Sequence, residues 1–283
     1  MDKEFYSWNS LVPLKPTGTK VPLYVVHGAN HNVLMFNELA HSLDKEQPVF
    51  GLQSRGLNGI DEPHDSINEM AADYISEIIE SNPKGPYLIA GFSLGGIVAY
   101  EIARQHKVQG REVGILAQFD TYVFQQYFYK NPIKKKIISF FYLIGKIIYV
   151  ILNMFGSVKN FKWRTKLIKL QIEGLFLRLK HGKKKQYKKQ FNVPYKMLVN
   201  QNKAFDNYTI APQDVVVDLF KATEDIVFVH DRKFLGWSKL AKKGIRKHMV
   251  KGNHLDMFEK PYVENFAKSL QHVLDNYDSG SYE

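Results

Sequence analysis

The chain has 283 residues, of which 45% are hydrophobic, and a formal net charge of +11. This length and composition suffice for one large α/β domain or two small ones. The absence of cysteine excludes a disulfide framework and any cysteine-ligated metal or cluster. The first residues lack the basic and apolar regions of a secretion signal, so we expect a cytoplasmic protein.

Short β-branched runs alternate with helical patterns along most of the chain. This alternation predicts an α/β fold with a mostly parallel sheet flanked by helices. The predicted strands cover residues 22–28, 48–56, 86–93, 113–120, 215–223 and 244–252. The predicted helices cover residues 34–43, 66–81, 94–106, 234–243 and 262–277, and Ser66 is the expected N-cap of the second.

The alternation stops in an insertion at about residues 121–206. Its apolar run 137–155 is broken by a serine, a glycine and a lysine, so its unbroken apolar pieces are shorter than a bilayer span. We therefore expect a buried or ligand-facing helix there. A second helix is predicted over 162–180. A long helical insertion between two strands of such a sheet is typical of a lid.

The insertion is also strongly basic. Residues 121–191 contain seventeen Lys or Arg and a single acidic residue, Glu173. A solvated surface is the plainest interpretation, but such a block could also contact nucleic acid, an anionic membrane surface, or an acidic protein or phosphate-bearing ligand. No recognisable nucleic-acid-binding motif accompanies it, so no nucleic-acid partner is predicted.

The motif Gly91-Phe92-Ser93-Leu94-Gly95 fits the pattern G-x-S-x-G, at the junction of a predicted strand and a predicted helix. This turn raises a serine hydroxyl above the sheet edge, and the glycines are needed because neighbouring backbone comes too close for side chains. Ser93 is therefore the candidate nucleophile. The alternative is a glycine-rich turn that only packs the helix against the strand. In that case the chain would have no acid and histidine placed to complete a catalytic triad.

The other members are sought in the chain order Ser, acid, His. His254 follows the last predicted strand and is the candidate base. For the acid, Asp120 ends the strand after the nucleophile, Asp225 ends the next strand, and Asp231 follows it. The residues alone favour Asp120 only slightly, because a strand-end aspartate is often a turn or cap residue.

Two backbone amides are candidates for an oxyanion hole. Leu94 lies at the N-terminus of the helix that follows Ser93, and Ala29 lies in the loop after the first predicted strand. In that loop Gly28 is expected to let the backbone turn back over the sheet. His27 and His31 are four residues apart but not on a helix, and no third ligand is evident, so no metal site is predicted.

Several segments together resemble the thioesterase domains that end nonribosomal peptide and polyketide assembly lines, members of the α/β-hydrolase superfamily. They include "LMFNELAHSLDKEQPVFGLQSRGLNG", "GPYLIAGFSLGGIVAYEIARQ", "GREVGILAQFDTY" and "GNHLDMF". The resemblance covers nearly the whole chain except the basic insertion. It implies one α/β-hydrolase domain over 21–277, with the lid at about 121–206. A linker-like segment at 1–20 would precede it and a tail at 278–283 would follow.

The resemblance also implies a function. Such enzymes accept an acyl or peptidyl chain from the phosphopantetheine arm of a carrier protein and release it by hydrolysis or macrocyclisation, with no cofactor of their own. It places the triad acid at Asp120 and an oxyanion amide at Ala29, although the family's glycine-rich loop is "GANHN" in this chain. It implies a carrier domain as partner.

Two features of the insertion remain open to interpretation. The aromatic side chains of Phe140, Phe141, Tyr142, Phe155, Trp163 and Phe176 could line an acyl channel, or could only pack the lid to the body. The lysines could meet an acidic carrier domain. The alternative function is a lipase-like esterase whose basic, apolar lid contacts an anionic membrane surface.

Overall fold

The computed structural model of the protein describes residues 10–57, 60–156 and 195–278, with scattered positions between 161 and 176. Within these residues one sheet has seven strands in the order β1-β3-β2-β4-β5-β6-β7. Only β1 is antiparallel to its neighbour. The strands are β1 Leu11–Lys15, β2 Leu23–Val26, β3 Val49–Leu52, β4 Tyr87–Phe92, β5 Val113–Phe119, β6 Val216–Glu224 and β7 Gly244–Asn253.

All six predicted strands are confirmed as β2 to β7. The edge strand β1 was not predicted, because its five residues lie in the segment expected to be linker-like. It pairs with β3, and its first residue is held by the side chain of Glu77, whose carboxylate accepts hydrogen bonds from the Ser10 and Leu11 amides. The sheet therefore includes residues that precede the first predicted strand.

Helices cover both faces of the sheet, as predicted. They are α1 Asn37–Ser42, α2 Ile67–Ser81, α3 Leu94–Val108, α4 Pro132–Gly156, α5 Tyr195–Asn207 and α6 Val263–Asp278. One apolar core joins α2 and α3 to the sheet, and a second joins α1 and α6 to its other face. Ser66 is the N-cap of α2, and its side chain accepts a hydrogen bond from the Glu69 amide. This α/β/α arrangement fixes the carboxyl ends of the parallel strands at one edge.

The predicted helix over 234–243 does not form. Leu235 and Gly236 have φ angles of 52° and 95°, which an α-helix cannot contain, and only a short 3-10 turn at Trp237–Lys239 follows. A Cβ at Gly236 would lie 2.2 Å from the carbonyl oxygen of Val123. Tertiary packing against the chain after β5 has therefore replaced the helix that the apolar spacing indicated.

The insertion between β5 and β6 contains α4 and α5. Asn131 begins α4, since its side chain accepts hydrogen bonds from two amides of the first turn, and Pro132 takes the first helical position. The second predicted helix, 162–180, lies largely outside the described residues, although the scattered positions there are helical. Its apolar positions 163, 167, 170 and 175 are among the residues that are not described.

The expectation that residues 137–155 form a buried helix is wrong, whereas its alternative, a ligand-facing helix, stays a prediction. Most large apolar side chains of α4 are exposed, including Phe140, Phe141 and Phe155. In the described part of the chain, Pro132–Phe155 is the one helix that is long and apolar enough to cross a membrane, and none of it is buried. The helix packs against the domain through a narrow stripe that contains Tyr142, Gly145 and Tyr149.

Candidate active site

Ser93 lies in a strained turn between β4 and α3. Its φ and ψ angles are 53° and −121°, outside the regions that a residue with a side chain normally occupies. The predicted need for glycine on either side is evident in the backbone spacing. A Cβ at Gly91 would lie 2.4 Å from the Gly95 carbonyl oxygen, and one at Gly95 would lie 2.1 Å from the His27 carbonyl oxygen. The turn therefore requires both glycines.

His254 follows β7 and reaches Ser93. Its Nε2 lies 3.1 Å from Ser93 Oγ, within hydrogen-bonding distance. The imidazole stacks on the ring of Phe92, with centroids 4.7 Å apart, and Gly252 turns the end of β7 with a φ of 93°. The histidine is thus held by packing on a residue next to the serine that it contacts.

Asp120 follows β5 and completes the arrangement. Its Oδ2 accepts a hydrogen bond from His254 Nδ1 at 2.9 Å, and its Oδ1 accepts one from the Ala222 amide of β6 at 2.9 Å. The side chain is only 1% exposed. Like Ser93 it has a positive φ, of 43°. A buried carboxylate held by a neighbouring strand orients the histidine and fixes which ring nitrogen carries the proton.

The other two acidic candidates make different contacts. Asp225 forms ion pairs with Lys221 and Arg232, at 2.5 and 3.1 Å. Asp231 accepts hydrogen bonds from the amides of Phe234 and Ser238 and so closes the turn that replaces the predicted helix. The structure therefore brings Ser93, His254 and Asp120 together, and gives Asp225 and Asp231 other partners.

The two candidate oxyanion amides belong to α3 and to the turn after β2, and their role stays a prediction. Leu94 is the first residue of α3, and Ala29 is an exposed residue of the turn after β2. The reason for Gly28 differs from the expected one. Its φ is not positive, but a Cβ there would lie 2.8 Å from the Phe92 ring, whereas His31 has a φ of 66°. Close approach to the ring, rather than an unusual backbone angle, requires the glycine.

His27 and His31 lie beside this loop, buried, with ring centroids 5.6 Å apart. His27 bonds through its two ring nitrogens to the Gly28 carbonyl oxygen and the Tyr74 hydroxyl. Burial, followed by the neighbouring His31, lowers the pKa of His27 to about 3. Among the described residues no group of three or more His, Cys, Asp or Glu could hold a metal ion. His27 therefore packs and hydrogen-bonds as a neutral side chain.

Sequence reasoning missed Tyr122. Its hydroxyl donates to Asp120 Oδ2 at 2.7 Å, the same oxygen that accepts from His254, and its ring lies 5.3 Å from the imidazole. Burial and the charge of Asp120 raise the pKa of Tyr122, so the hydroxyl stays protonated as a donor. No local pattern in the sequence could have indicated it, because its place depends on the positive φ of Asp120.

A cavity of about 350 Å³ lies beside the chain that follows β5. Its lining includes Val123, Phe124, Tyr142 and Val229. Of the side chains predicted to line a channel, Tyr142 lines this cavity, whereas Phe140, Phe141, Phe155 and Phe176 are exposed. Trp163 lies outside the described residues. These four exposed phenylalanine side chains thus do not line the cavity.

The fold and the site together define a class. A mostly parallel sheet with a serine after β4, an aspartate after β5 and a histidine after β7, in that chain order, is the α/β-hydrolase arrangement. The predicted fold class is confirmed, and the helical insertion follows β5 as predicted.

Comparison with known proteins narrows the class. A family model described as "Thioesterase domain" matches residues 21–137. The chain is 27% identical over 94% of its length to the nonribosomal peptide synthetase atqA of Aspergillus terreus, of which it covers 29%. It is 40% identical over 40% of its length to a dimodular nonribosomal peptide synthase of Bacillus subtilis, of which it covers 5%. The chain thus spans less than a third of these relatives.

Solved structures agree at the level of the fold. The NocB thioesterase domain, in covalent complex with a fluorophosphonate nocardicin G analogue, has a TM-score of 0.62 at 20% identity and covers 93% of this chain and 99% of its own. The Vlm2 thioesterase domain has a TM-score of 0.60 at 18% identity, covering 93% and 96%. The expected resemblance to the thioesterase domains of nonribosomal peptide synthetases is therefore confirmed.

Proposed function

We propose that this chain is a serine thioesterase that releases an acyl or peptidyl chain from the phosphopantetheine arm of a carrier protein, by hydrolysis or macrocyclisation. The observation that carries the proposal is the pair of hydrogen bonds joining Ser93, His254 and Asp120. The matched family and the nonribosomal peptide synthetase relatives support a thioester substrate.

The first half-reaction would acylate Ser93. His254 Nε2 takes the hydroxyl proton as Ser93 Oγ attacks the thioester carbonyl carbon. Asp120 stabilises the imidazolium and holds its Nδ1 proton, while the amides of Leu94 and Ala29 stabilise the oxyanion. The carbon–sulfur bond then breaks, His254 returns the proton to the leaving sulfur, and the carrier departs with a free thiol.

The second half-reaction would release the chain. His254 Nε2 removes a proton from water, or from a nucleophile within the chain, as that group attacks the ester carbonyl. The bond to Ser93 Oγ breaks, and the proton on His254 restores the hydroxyl. Water gives a free acid and an internal nucleophile gives a ring. Which of them attacks depends on how far the insertion excludes water from the acyl-enzyme.

The partner in this proposal is an acyl or peptidyl carrier domain, and the chain holds no cofactor of its own. The catalytic unit would be one domain that includes β1, Leu11–Lys15, rather than beginning at residue 21, and that extends to about residue 277. Phosphopantetheine belongs to the substrate and would enter with the carrier. The lipase-like alternative is not favoured, because the relatives found are nonribosomal peptide synthetases and thioesterase domains.

The nucleophile is tested with a fluorophosphonate probe and with candidate acyl-pantetheine thioesters. We expect the probe to add one covalent label at Ser93, and Ser93→Ala to abolish both labelling and product formation. Ser76→Ala, a change on the exposed face of α2, is the matched control and should be labelled like the wild type. Mass spectrometry distinguishes hydrolysed, cyclised and unreacted chains. Normal labelling of Ser93→Ala would refute the proposal.

The triad acid is tested by paired substitutions. Asp120→Asn keeps the shape of the side chain but removes the charge that stabilises the imidazolium, so kcat should fall by about 10³ to 10⁴. Asp225→Asn removes an acid that pairs with Lys221 and Arg232, and kcat should change by less than about threefold. Kinetics on one acyl-pantetheine substrate decide between them. The reverse order of the two effects would transfer the role to Asp225.

A further inference from the structure

The proposed reaction does not use the exposed face of α4. Eleven large apolar side chains on this helix are each 41–81% exposed. They are Ile133, Ile137, Phe140, Phe141, Leu143, Ile144, Ile147, Ile148, Ile151, Leu152 and Phe155. Their combined surface exceeds the ~300–600 Å² of the largest patch on a typical monomer. We call this surface the α4 apolar face.

The opposite side of α4 is attached to the domain. The Tyr142 hydroxyl donates to the Phe228 carbonyl oxygen at 3.2 Å, and the Tyr149 hydroxyl donates to the Asp225 carbonyl oxygen at 2.6 Å. Gly145 lies between them, and a Cβ there would lie 2.7 Å from the Phe228 ring. Positions 142, 145 and 149 follow helical spacing, so a single stripe faces the body.

This attachment sets the direction of the helix. The contacts of Tyr142 and Tyr149, together with that of Lys135 with the Asp206 carbonyl oxygen at 2.5 Å, are spread along the helix. A helix held at several points along its length lies on the domain surface instead of leaving it. Its 25 residues span about 38 Å, so the apolar face is long and lies along one side of the domain.

The charges on α4 indicate what covers this face. The helix contains Lys134, Lys135, Lys136 and Lys146 and no acidic residue. A second copy packed through the same face would bring lysines of both copies together with no acid on either helix to pair with them. A surface of negative headgroups over an apolar interior complements both the lysines and the aliphatic side chains.

From this geometry we infer that the α4 apolar face lies in the plane of an anionic lipid membrane and holds the domain on its surface. The aliphatic and aromatic side chains enter the acyl region, the lysines contact headgroup phosphates, and the tyrosine stripe keeps the domain attached above. This binding is independent of the chemistry at Ser93, so either proposal can fail without the other.

Vesicle co-sedimentation of the full chain tests the inference. We expect binding to phosphatidylcholine vesicles that contain phosphatidylglycerol, and weaker binding to phosphatidylcholine alone. Replacing Phe140, Phe141, Ile148 and Leu152 by serine should weaken partitioning at least about tenfold, because each change removes apolar area from the bilayer contact. Val108→Ser with Met249→Ser, two exposed apolar positions elsewhere, should bind like the wild type.

The charge contribution has its own variant. Lys134, Lys136 and Lys146 are exposed, and changing all three to glutamine should remove most of the preference for anionic vesicles. Turnover of a soluble acyl-pantetheine thioester and thermal unfolding should stay as in the wild type for every variant. That result would separate lipid binding from folding and from the reaction.

The depth to which α4 enters the membrane is measured with a single fluorescent label on an introduced cysteine, since the chain contains no native cysteine. Ile148→Cys carrying an environment-sensitive fluorophore should shift to the blue on anionic vesicles, and Val108→Cys should not. No vesicle binding, or binding that the serine variant leaves intact, would overturn the inference. Retention in the membrane after alkaline carbonate extraction would also overturn it, because that result indicates a membrane-spanning helix. A third contrary result would be a chain that binds no vesicles but self-associates or binds a carrier domain, and loses that affinity in the serine variant.

Discussion

The oxygen that orients His254 is shared between two donors. Asp120 Oδ2 accepts from His254 Nδ1 at 2.9 Å and from the Tyr122 hydroxyl at 2.7 Å. A second donor withdraws charge from the carboxylate and so reduces how strongly it stabilises an imidazolium. Tyr122 is thus a positioning residue, acting on the base through the acid.

Tyr122→Phe should change both rate and pH dependence. The loss of one hydrogen bond to a charged group, worth on the order of 1–3 kcal/mol, leaves Asp120 less well held, so kcat should fall several-fold with little change in KM. The carboxylate then stabilises the imidazolium more strongly, so the acid limb of the kcat/KM profile should move to higher pH. Steady-state kinetics across pH measure both effects.

Tyr208→Phe is the matched control. The Tyr208 hydroxyl also donates to a buried carboxylate, that of Glu101, at 2.8 Å, and Glu101 lies about two helical turns along α3 from Ser93. It should lower stability without moving the acid limb. If Tyr122→Phe behaves like this control, with an unchanged pH profile, Tyr122 has only a packing role.

Among the residues of the site, the sequence predicted those whose positions follow from the order of the strands. Ser93, Asp120 and His254 each follow a strand, and carboxyl ends of parallel strands meet at one edge. Tyr122 has no such positional rule. Its place depends on the positive φ of Asp120, which redirects the chain just after β5 and which no local pattern indicates.

The strand pair β6 and β7 supports the site from one edge of the sheet. The Ala222 amide of β6 binds Asp120, and His254 directly follows β7. The two strands are joined by Asp218, which is fully buried and accepts hydrogen bonds from the Arg246 guanidinium and from His248 Nε2. The ion pair crosses between the strands away from the triad.

Asp218→Asn should weaken this pair of strands. Breaking a buried ion pair by removing one partner costs about 3–5 kcal/mol when both partners are buried, and less here because Arg246 is partly exposed, so we expect about 2 kcal/mol. Urea unfolding measures the loss. Arg246→Gln should cost at least as much, since it leaves the fully buried Asp218 carboxylate with only the hydrogen bond from His248 Nε2. Equal stability of Asp218→Asn and the wild type would refute this role.

The secondary-structure prediction succeeded for elements with a local burial pattern. It failed for elements whose packing depends on residues distant in the sequence. Strands β2 to β6 are largely apolar runs, whereas the edge strand β7 is a mixed sequence, and each of these patterns is local. The edge strand β1 forms only because β3 offers a free edge, and the predicted helix at 234–243 is replaced because Gly236 must approach Val123. The exposure of α4 was predicted wrongly for a related reason. Its composition indicates burial, but only the stripe of Tyr142, Gly145 and Tyr149 meets the body.

For the whole molecule, buried histidines set the response to acid. Burial lowers the pKa of His27 to about 3 and those of His31 and His106 to about 4, from an ordinary value near 6.5. The unfolded chain therefore binds more protons than the folded chain between these values. Stability should be fully present above about pH 6.5 and should fall as the pH drops toward about 4.

His106 allows this to be tested away from the active site. Its ring stacks on Tyr87 with centroids 4.3 Å apart, it is fully buried at the end of α3, and its ring nitrogens have no hydrogen-bond partner among the described residues. Burial, followed by the charge of Arg111, lowers its pKa. A phenylalanine can keep the stacking but cannot take up a proton.

His106→Phe should therefore make the protein less sensitive to acid. Between about pH 7.5 and pH 5 the wild type should lose more stability than the variant, by on the order of 1 kcal/mol. Urea unfolding at both pH values measures the difference, and comparing the change with pH removes any packing effect of the larger ring. The exposed His41→Gln should lose as much as the wild type. Parallel losses in wild type and His106→Phe would mean that His106 takes up no proton on unfolding, and the acid response would have to come from His27 and His31.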